Sequence, residues 1–245
     1  MIEAVDLTKR YEDGTLALDS LNLKVEPGEV YCLLGANGAG KTTTLHLFLN
    51  FIAPTWGYAY INGIDVTKNP ADAKRYASYV SENVMLYGDL TARQNLEFFA
   101  KLGGKRRVTK GASYIVLREV GLPERAFEKK VKTFSRGMRQ KLGIAIALMR
   151  DTPAIFLDEP TSGLDPKAAA ELLSLLSELR QQGKAILMVT HDIFRAREIA
   201  DRVGIMKEGR KALERTYKDL LEEDLEMLYL DYMKGYYTFA EHSQV

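Results

Sequence analysis

The chain has 245 residues, enough for one large domain or two lobes around a sizeable core. Its 34 Lys and Arg against 33 Asp and Glu leave a net charge of +1, which removes any bulk electrostatic case for nucleic acid or an anionic membrane surface. The single cysteine, Cys32, excludes an intramolecular disulfide and a zinc ribbon, and no apolar run approaches the roughly 20 residues that span a bilayer. The opening Met1-Ile2-Glu3-Ala4-Val5-Asp6 has neither the basic start nor the apolar core of a secretion signal. A soluble chain in a reducing compartment is the expectation.

Residues 2–7 alternate at period two, as a half-buried strand does. Tyr11 follows in a polar loop, and Asp13-Gly14 signals a turn before a second alternating run through Leu21, Leu23 and Val25. Val30-Tyr31-Cys32-Leu33-Leu34 reads as a short buried strand, and Thr42 to Phe51 as a helix. Trp56 to Ile61 reads as an aromatic-rich strand closed by the turn Asn62-Gly63. A short helix over residues 71–76 and a strand over 77–80 lead into Ser81-Glu82-Asn83.

From about Leu90 the pattern is helical. Thr91 caps a segment with Leu96, Phe98, Phe99 and Leu102, and Gly103-Gly104-Lys105-Arg106-Arg107 breaks it as a solvated loop. A second helix covers Lys110 to Val120. A third opens at Phe134-Ser135-Arg136-Gly137-Met138, with Leu142, Ala145, Ile146 and Met149 on one face. Ala154 to Leu157 is an apolar strand ending in Asp158-Glu159-Pro160. Asp165-Pro166 supplies an N-cap and a first-turn proline for a helix whose Leu172, Leu175, Leu176 and Leu179 face the core. Ala185 to Val189 is another buried strand, delivering Thr190-His191-Asp192, and a helix and a strand over Val203 to Met206 follow. Leu221, Leu225, Leu228 and Tyr232 stand at helical spacing in a last helix over Thr216 to Met233, which either packs on its own domain or offers a partner surface. Strands alternating with helices predict an α/β fold with a mainly parallel sheet, interrupted by a helical insert, with ligands at the carboxyl ends of the strands.

The chemistry concentrates at Gly35-Ala36-Asn37-Gly38-Ala39-Gly40-Lys41-Thr42, which fits the phosphate-loop pattern G-x-x-x-x-G-K-[ST]. Glycines let successive backbone N–H groups converge on an anion, and the helix that begins there turns its positive end toward the phosphates. In this pattern Lys41 reaches the outer phosphates and the Thr42 hydroxyl serves Mg²⁺. Asp158, at the end of a buried strand, is placed to hold Mg²⁺ through its water shell. Glu159 is placed to orient or deprotonate an attacking water, a role worth about 10²–10⁴-fold in rate. His191, at the end of another buried strand, is a candidate γ-phosphate contact.

These residues carry a resemblance that covers nearly the whole chain. The sequence resembles the nucleotide-binding subunit of an ATP-binding cassette (ABC) transporter. Gly35 to Thr42 matches that family's Walker A motif and Ile155 to Glu159 its Walker B; Ser162-Gly163-Leu164-Asp165 matches the D-loop and His191 the switch histidine. Tyr11 stands where the family places an adenine-stacking aromatic ring, and Phe134 to Met138 where it carries the signature Leu-Ser-Gly-Gly-Gln. Three departures from the pattern matter: Arg136 and Met138 replace the signature's first glycine and its glutamine, and Glu82 replaces a glutamine that touches the metal. That combination is similar to a bacterial exporter branch with separately encoded permeases.

The resemblance implies ATP and Mg²⁺ as ligands and ATP hydrolysis as the activity. It implies Gly35, Asn37, Gly38, Ala39, Gly40, Lys41, Thr42, Thr43, Tyr11, Ser135 and Gly137 as nucleotide contacts. It also implies Thr42, Glu82 and Asp158 as metal ligands, and Glu159, His191 and Asp165 as catalytic residues. It implies a P-loop NTPase core with an antiparallel β subdomain over residues 1–87 and 151–210, a helical signature subdomain over 88–150 and a C-terminal helical extension over 211–245. The implied partners are a second ABC subunit, first of all another copy of this chain, and a multi-spanning permease, with no nucleic acid. The implied location is peripheral, on the cytoplasmic face of the cell membrane. Competing readings are a soluble ABC ATPase in assembly or repair, and a small-molecule kinase using the same loop. The latter leaves the signature, the D-loop and His191 unexplained. Repair relatives carry coiled-coil or zinc modules between the two Walker motifs, where this chain has no cysteine.

Overall fold

A computed structural model describes residues 1–234. The chain opens with β1 (Ile2–Arg10) and β2 (Leu16–Val25), an antiparallel pair, and then enters β3 (Val30–Gly35). The phosphate loop follows and runs into α1 (Lys41–Phe48). This helix stops short of Phe51 because Asn50 takes a left-handed conformation (φ 51°), which asparagine tolerates. Next come β4 (Trp56–Ile61), β5 (Ile64–Asp65), α2 (Pro70–Ala73) and β6 (Ala77–Val80).

Three helices then pack on one another: α3 (Ala92–Leu102), α4 (Lys110–Glu119) and α5 (Arg136–Arg150). Their starts are set by Thr91, Thr109 and Ser135, each of which accepts a backbone N–H with its side-chain oxygen. Parallel α/β alternation resumes with β7 (Ala154–Asp158), α6 (Pro166–Gln181), β8 (Ala185–Thr190), α7 (Ile193–Ile199) and β9 (Arg202–Lys207). Strand β10 (Arg210–Thr216) and helices α8 (Tyr217–Glu222) and α9 (Leu225–Lys234) complete the described chain.

The strands form two sheets. One is four-stranded and antiparallel, in the order β2-β1-β4-β5; the other is six-stranded, β10-β9-β3-β8-β7-β6. In the larger sheet only β10 runs antiparallel to its neighbour. Side chains alternate across a strand, so each central strand feeds two cores. Val30, Cys32 and Leu34 of β3, with Ile155 and Leu157 of β7, join the helices on one side. Tyr31, Leu33 and Phe156 join α1 and the four-stranded sheet on the other. Cys32 is wholly buried in this sandwich, and burial pushes its thiol far above the ordinary range, as suits a packing residue.

The last part differs from its sequence reading in two ways. Residues 211–216 are strand, not helix: β10 pairs with β9 through Leu213↔Ile205 and Arg215↔Val203. The expected single helix over Thr216 to Met233 is two, because Glu223 is extended and Asp224 Oδ1 accepts the N–H groups of Glu226 and Met227, starting a new helix. Of the expected apolar stripe, Leu225 and Tyr232 are buried and Leu228 packs against the core, but Leu221 is 63% exposed. Residues 235–245 of the expected C-terminal extension lie outside the described chain.

Candidate functional site

The loop from Gly35 to Thr42 is held from both sides. Gly38 (φ 83°) and Gly40 (φ 102°) adopt the left-handed backbone that folds the loop back over α1. At Gly40 a Cβ would stand 2.5 Å from the carbonyl oxygen of Ala17, so strand β2 itself requires glycine there. The Gly209 N–H donates to the Ala39 carbonyl at 3.1 Å, tying the β9–β10 turn to the loop. Helices α3, α4, α5, α6 and α7 each begin under a side-chain cap, whereas the Gly40 end of α1 has none. That leaves the positive end of α1 to an anionic ligand. Lys41 is buried beneath, with Nζ donating to the carbonyls of Gly35 (2.6 Å) and Ala36 (3.2 Å). Burial pushes its pKa down, against the pull of Glu159 and Asp158.

Parallel strands bring the carboxylates to the same place. Asp158 ends β7 opposite Val189 of β8, and β8 pairs with β3, so all three strand ends converge on the loop. Burial raises the Asp158 pKa, partly offset by a hydrogen bond from the Tyr79 hydroxyl to its Oδ2 at 3.2 Å. Glu159 leaves the strand in the left-handed region (φ 45°), where a non-glycine residue costs about 1–3 kcal/mol. Several bonds hold it there. Its N–H donates to Val189 at 2.9 Å, and its Oε2 accepts from the Thr190 hydroxyl (3.0 Å) and the His191 N–H (3.3 Å). His191 Nδ1 stands 2.9 Å from Glu159 Oε1, and Lys41 Nζ is 3.9 Å from the same oxygen. The strain and the bonds together aim one carboxylate across the mouth of the loop.

The result is a cavity of about 510 Å³ lined by Asn37, Gly38, Gly40, Lys41, Thr42 and Thr43 together with Glu82, Asp158 and Glu159. Its size falls in the range of small-ligand sites. Among the described residues no three His, Cys, Asp or Glu side chains are grouped to hold a metal alone. A hydroxyl and one or two carboxylates, with the remaining ligands from phosphate and water, is the oxygen donor set that Mg²⁺ takes, so Thr42, Asp158 and Glu82 fit that ion.

The other expected site residues lie elsewhere. Ser135, Gly137 and Asp165 line a separate cleft of about 200 Å³ between the start of α5 and the start of α6. There Ser135 Oγ accepts the Met138 N–H and Asp165 Oδ1 the Ala168 N–H, so both serve as helix caps. Tyr11 is 39% exposed, beneath the Lys9 ammonium, and the cavity wall on its side is made by Thr15 and Ala17. Glu82 reaches the cavity while its Oε1 accepts from Arg136 Nη2 (3.1 Å) and Ser162 Oγ (3.2 Å). The two charged departures from the family pattern therefore pair with each other. Sequence reading missed that pairing, and missed Tyr79 and Thr190 as partners of the two carboxylates; no local pattern marks a contact made across strands.

A parallel α/β sheet with a phosphate loop at its strand ends and two carboxylates beside it defines a P-loop nucleotide-binding protein. The chain belongs to the ABC transporter family, whose model matches residues 18–162, and it is an ATP-binding ATPase cassette of that family. It is 36% identical to the bacitracin transport ATP-binding protein BcrA of Bacillus licheniformis, over 100% of this chain and 80% of that one. It is 36% identical to the Nod factor export ATP-binding protein I of Burkholderia pseudomallei (strain 1710b), over 91% of this chain and 73% of the relative. It is 33% identical to the probable multidrug ABC transporter ATP-binding protein YbhF of Escherichia coli (strain K12) over 90% of its own length, but spans only 38% of that protein. A solved dimeric post-hydrolysis state of the ATP-binding cassette MJ0796 with ADP and Pi superimposes with a TM-score of 0.80 at 29% identity, over 89% of this chain and 99% of that one.

Proposed function

We propose that this chain is the ATP-hydrolysing subunit of an exporter, working as a pair of cassettes on a multi-spanning permease at the cytoplasmic face of the membrane. One observation carries the reading. The phosphate loop and the carboxylates share one cavity, while Ser135, Gly137 and Asp165 line a different cleft of the same chain. A site that needs both halves is completed by a second subunit, with the Ser135 region of one copy facing the phosphate loop of the other. The dimeric MJ0796 cassette and the transport and export roles named for BcrA and the Nod factor relative support the reading.

Within it, the N–H groups of Asn37 to Thr43 and the Lys41 ammonium bind the phosphates, and Tyr11 offers its ring to the adenine. Thr42, Asp158 and Glu82 would hold Mg²⁺, which would supply positive charge against the phosphates. Glu159 accepts the proton of the attacking water. His191, beside Glu159, fixes its orientation and contacts the γ-phosphate, and Asp165 joins the D-loop contact between subunits. ATP that binds the closed pair better than the open one shifts the equilibrium toward closure, by roughly 2.7 kcal/mol per site at about 100 times its dissociation constant. Residues 88–150 form the signature subdomain, and the cleft near Glu82 receives a short permease helix. The test is to purify tagged Glu159→Gln protein with ATP from detergent-solubilised membranes. The expected outcome is loss of turnover by at least about 100-fold, a stable ATP-bound pair, and a multi-spanning partner at one copy per cassette. Recovery without any membrane protein would replace the exporter reading with a soluble assembly ATPase.

A further inference from the structure

Tyr79 stands on β6, the edge strand of the six-stranded sheet. Strands β6 and β7 run parallel with Tyr79 opposite Phe156. At period two, Phe156 and Asp158 share a face, so Tyr79 projects on the same side as Asp158, one step back along the neighbouring strand. A phenol spans that step. Its hydroxyl donates to Asp158 Oδ2 at 3.2 Å, and an ionised carboxylate can only accept. The ring is itself held: it meets Phe51, just beyond α1, edge-on at 6.0 Å between centroids. The same ring forms part of the wall of a cleft of about 320 Å³ between the sheet and the helices, with Phe51, Phe99, Leu102 and Ile146. Tyr79 thus reaches from that cleft to the carboxylate in the phosphate cavity.

We propose that Tyr79 is a positioning residue for the metal: its hydroxyl engages one oxygen of Asp158 and turns the other toward Mg²⁺. The inference rests on Asp158 being a metal ligand, as proposed above. Partners that orient a metal ligand in this way are worth about 10–100-fold in metal affinity. Phenylalanine keeps the ring, its contact with Phe51 and the strand packing, and deletes only the donor. The experiment titrates the full-length chain with Mn²⁺ in the presence of a saturating non-hydrolysable ATP analogue, reading free Mn²⁺ by electron paramagnetic resonance. Tyr79→Phe should weaken Mn²⁺ binding about tenfold, leave analogue binding in EDTA unchanged, and add no further loss in an Asp158→Asn background. Unchanged Mn²⁺ affinity in Tyr79→Phe, with Asp158→Asn losing Mn²⁺, would overturn the role of Tyr79 alone. Unchanged affinity in Asp158→Asn would overturn the metal role of Asp158 and this inference with it. Loss that adds to that of Asp158→Asn would make Tyr79 a packing residue only.

Discussion

At the residue scale, the site is a set of charges whose positions are fixed by the residues around them. Glu159 illustrates this: its left-handed backbone is held by Val189 and Thr190 at the end of β8 and by His191 just beyond it. Arg136 and Glu82 illustrate a different balance. Their side chains are 39% and 44% exposed, so water screens the 3.1 Å pair and it contributes less than about 1 kcal/mol. A double-mutant cycle with Glu82→Gln and Arg136→Gly, followed by urea unfolding, should give a coupling energy under about 1 kcal/mol. A value above about 2 kcal/mol would show that the pair is far better shielded than its exposure says. Its weakness is compatible with movement, because a pair this shallow can part when Glu82 turns to a ligand.

At the element scale, helix α3 holds its preceding loop through a buried amide as well as through ring contacts. Asn95 is wholly buried, and its amide accepts the Tyr87 N–H at 2.8 Å while donating toward the carbonyls of Tyr87, Leu90 and Thr91. The loop so anchored displays Met85 and Tyr87, which are 84% and 51% exposed, and Tyr87 stacks on Phe99. Removing the amide leaves the Tyr87 N–H without its partner, at a cost of about 1–3 kcal/mol, while the carbonyls of Tyr87, Leu90 and Thr91 keep the backbone N–H groups of Leu90, Val131 and Asn95. Asn95→Ala should therefore destabilise the chain by about 1–3 kcal/mol, read as a lower urea midpoint. A midpoint shift worth under about 0.5 kcal/mol would mean that water replaces the amide. The first and third of the three packed helices, α3 and α5, were legible in the sequence from the Thr91 cap and from the apolar face of Leu142, Ala145, Ile146 and Met149. The role of Asn95 was not, since a polar residue in an amphipathic helix looks solvent-facing until its loop folds over it.

At the scale of the whole molecule, the two clefts make a prediction about assembly. Ser135 is exposed and lies away from the phosphate cavity, so it does not touch nucleotide bound to its own chain. Ser135→Arg should leave ATP affinity of the isolated chain unchanged while abolishing ATP-dependent dimerisation in gel filtration. Loss of the cap to Met138 should lower stability by only about 1 kcal/mol. If the variant instead fails to bind ATP as a monomer, the two-subunit site is wrong.

What the sequence determined by itself is local: the loop from Gly35 to Thr42, the buried strand ending at Asp158-Glu159, and the caps and apolar faces of the helices. Each depends on neighbours within a few residues, where periodicity and turn chemistry act directly. The motifs together carried the reading to the ABC transporter family. Only the tertiary structure decided which of these pieces meet. The order β3-β8-β7-β6 sets side by side strands that are distant in sequence, so Tyr79 reaches Asp158 across 79 positions and Arg136 reaches Glu82 across 54. The same holds for β10, whose polar run Arg210-Lys211-Ala212-Leu213-Glu214-Arg215 becomes a strand because β9 offers it an edge. Such contacts come from sheet pairing and from packing two cores at once, and no window of sequence contains the partners they require.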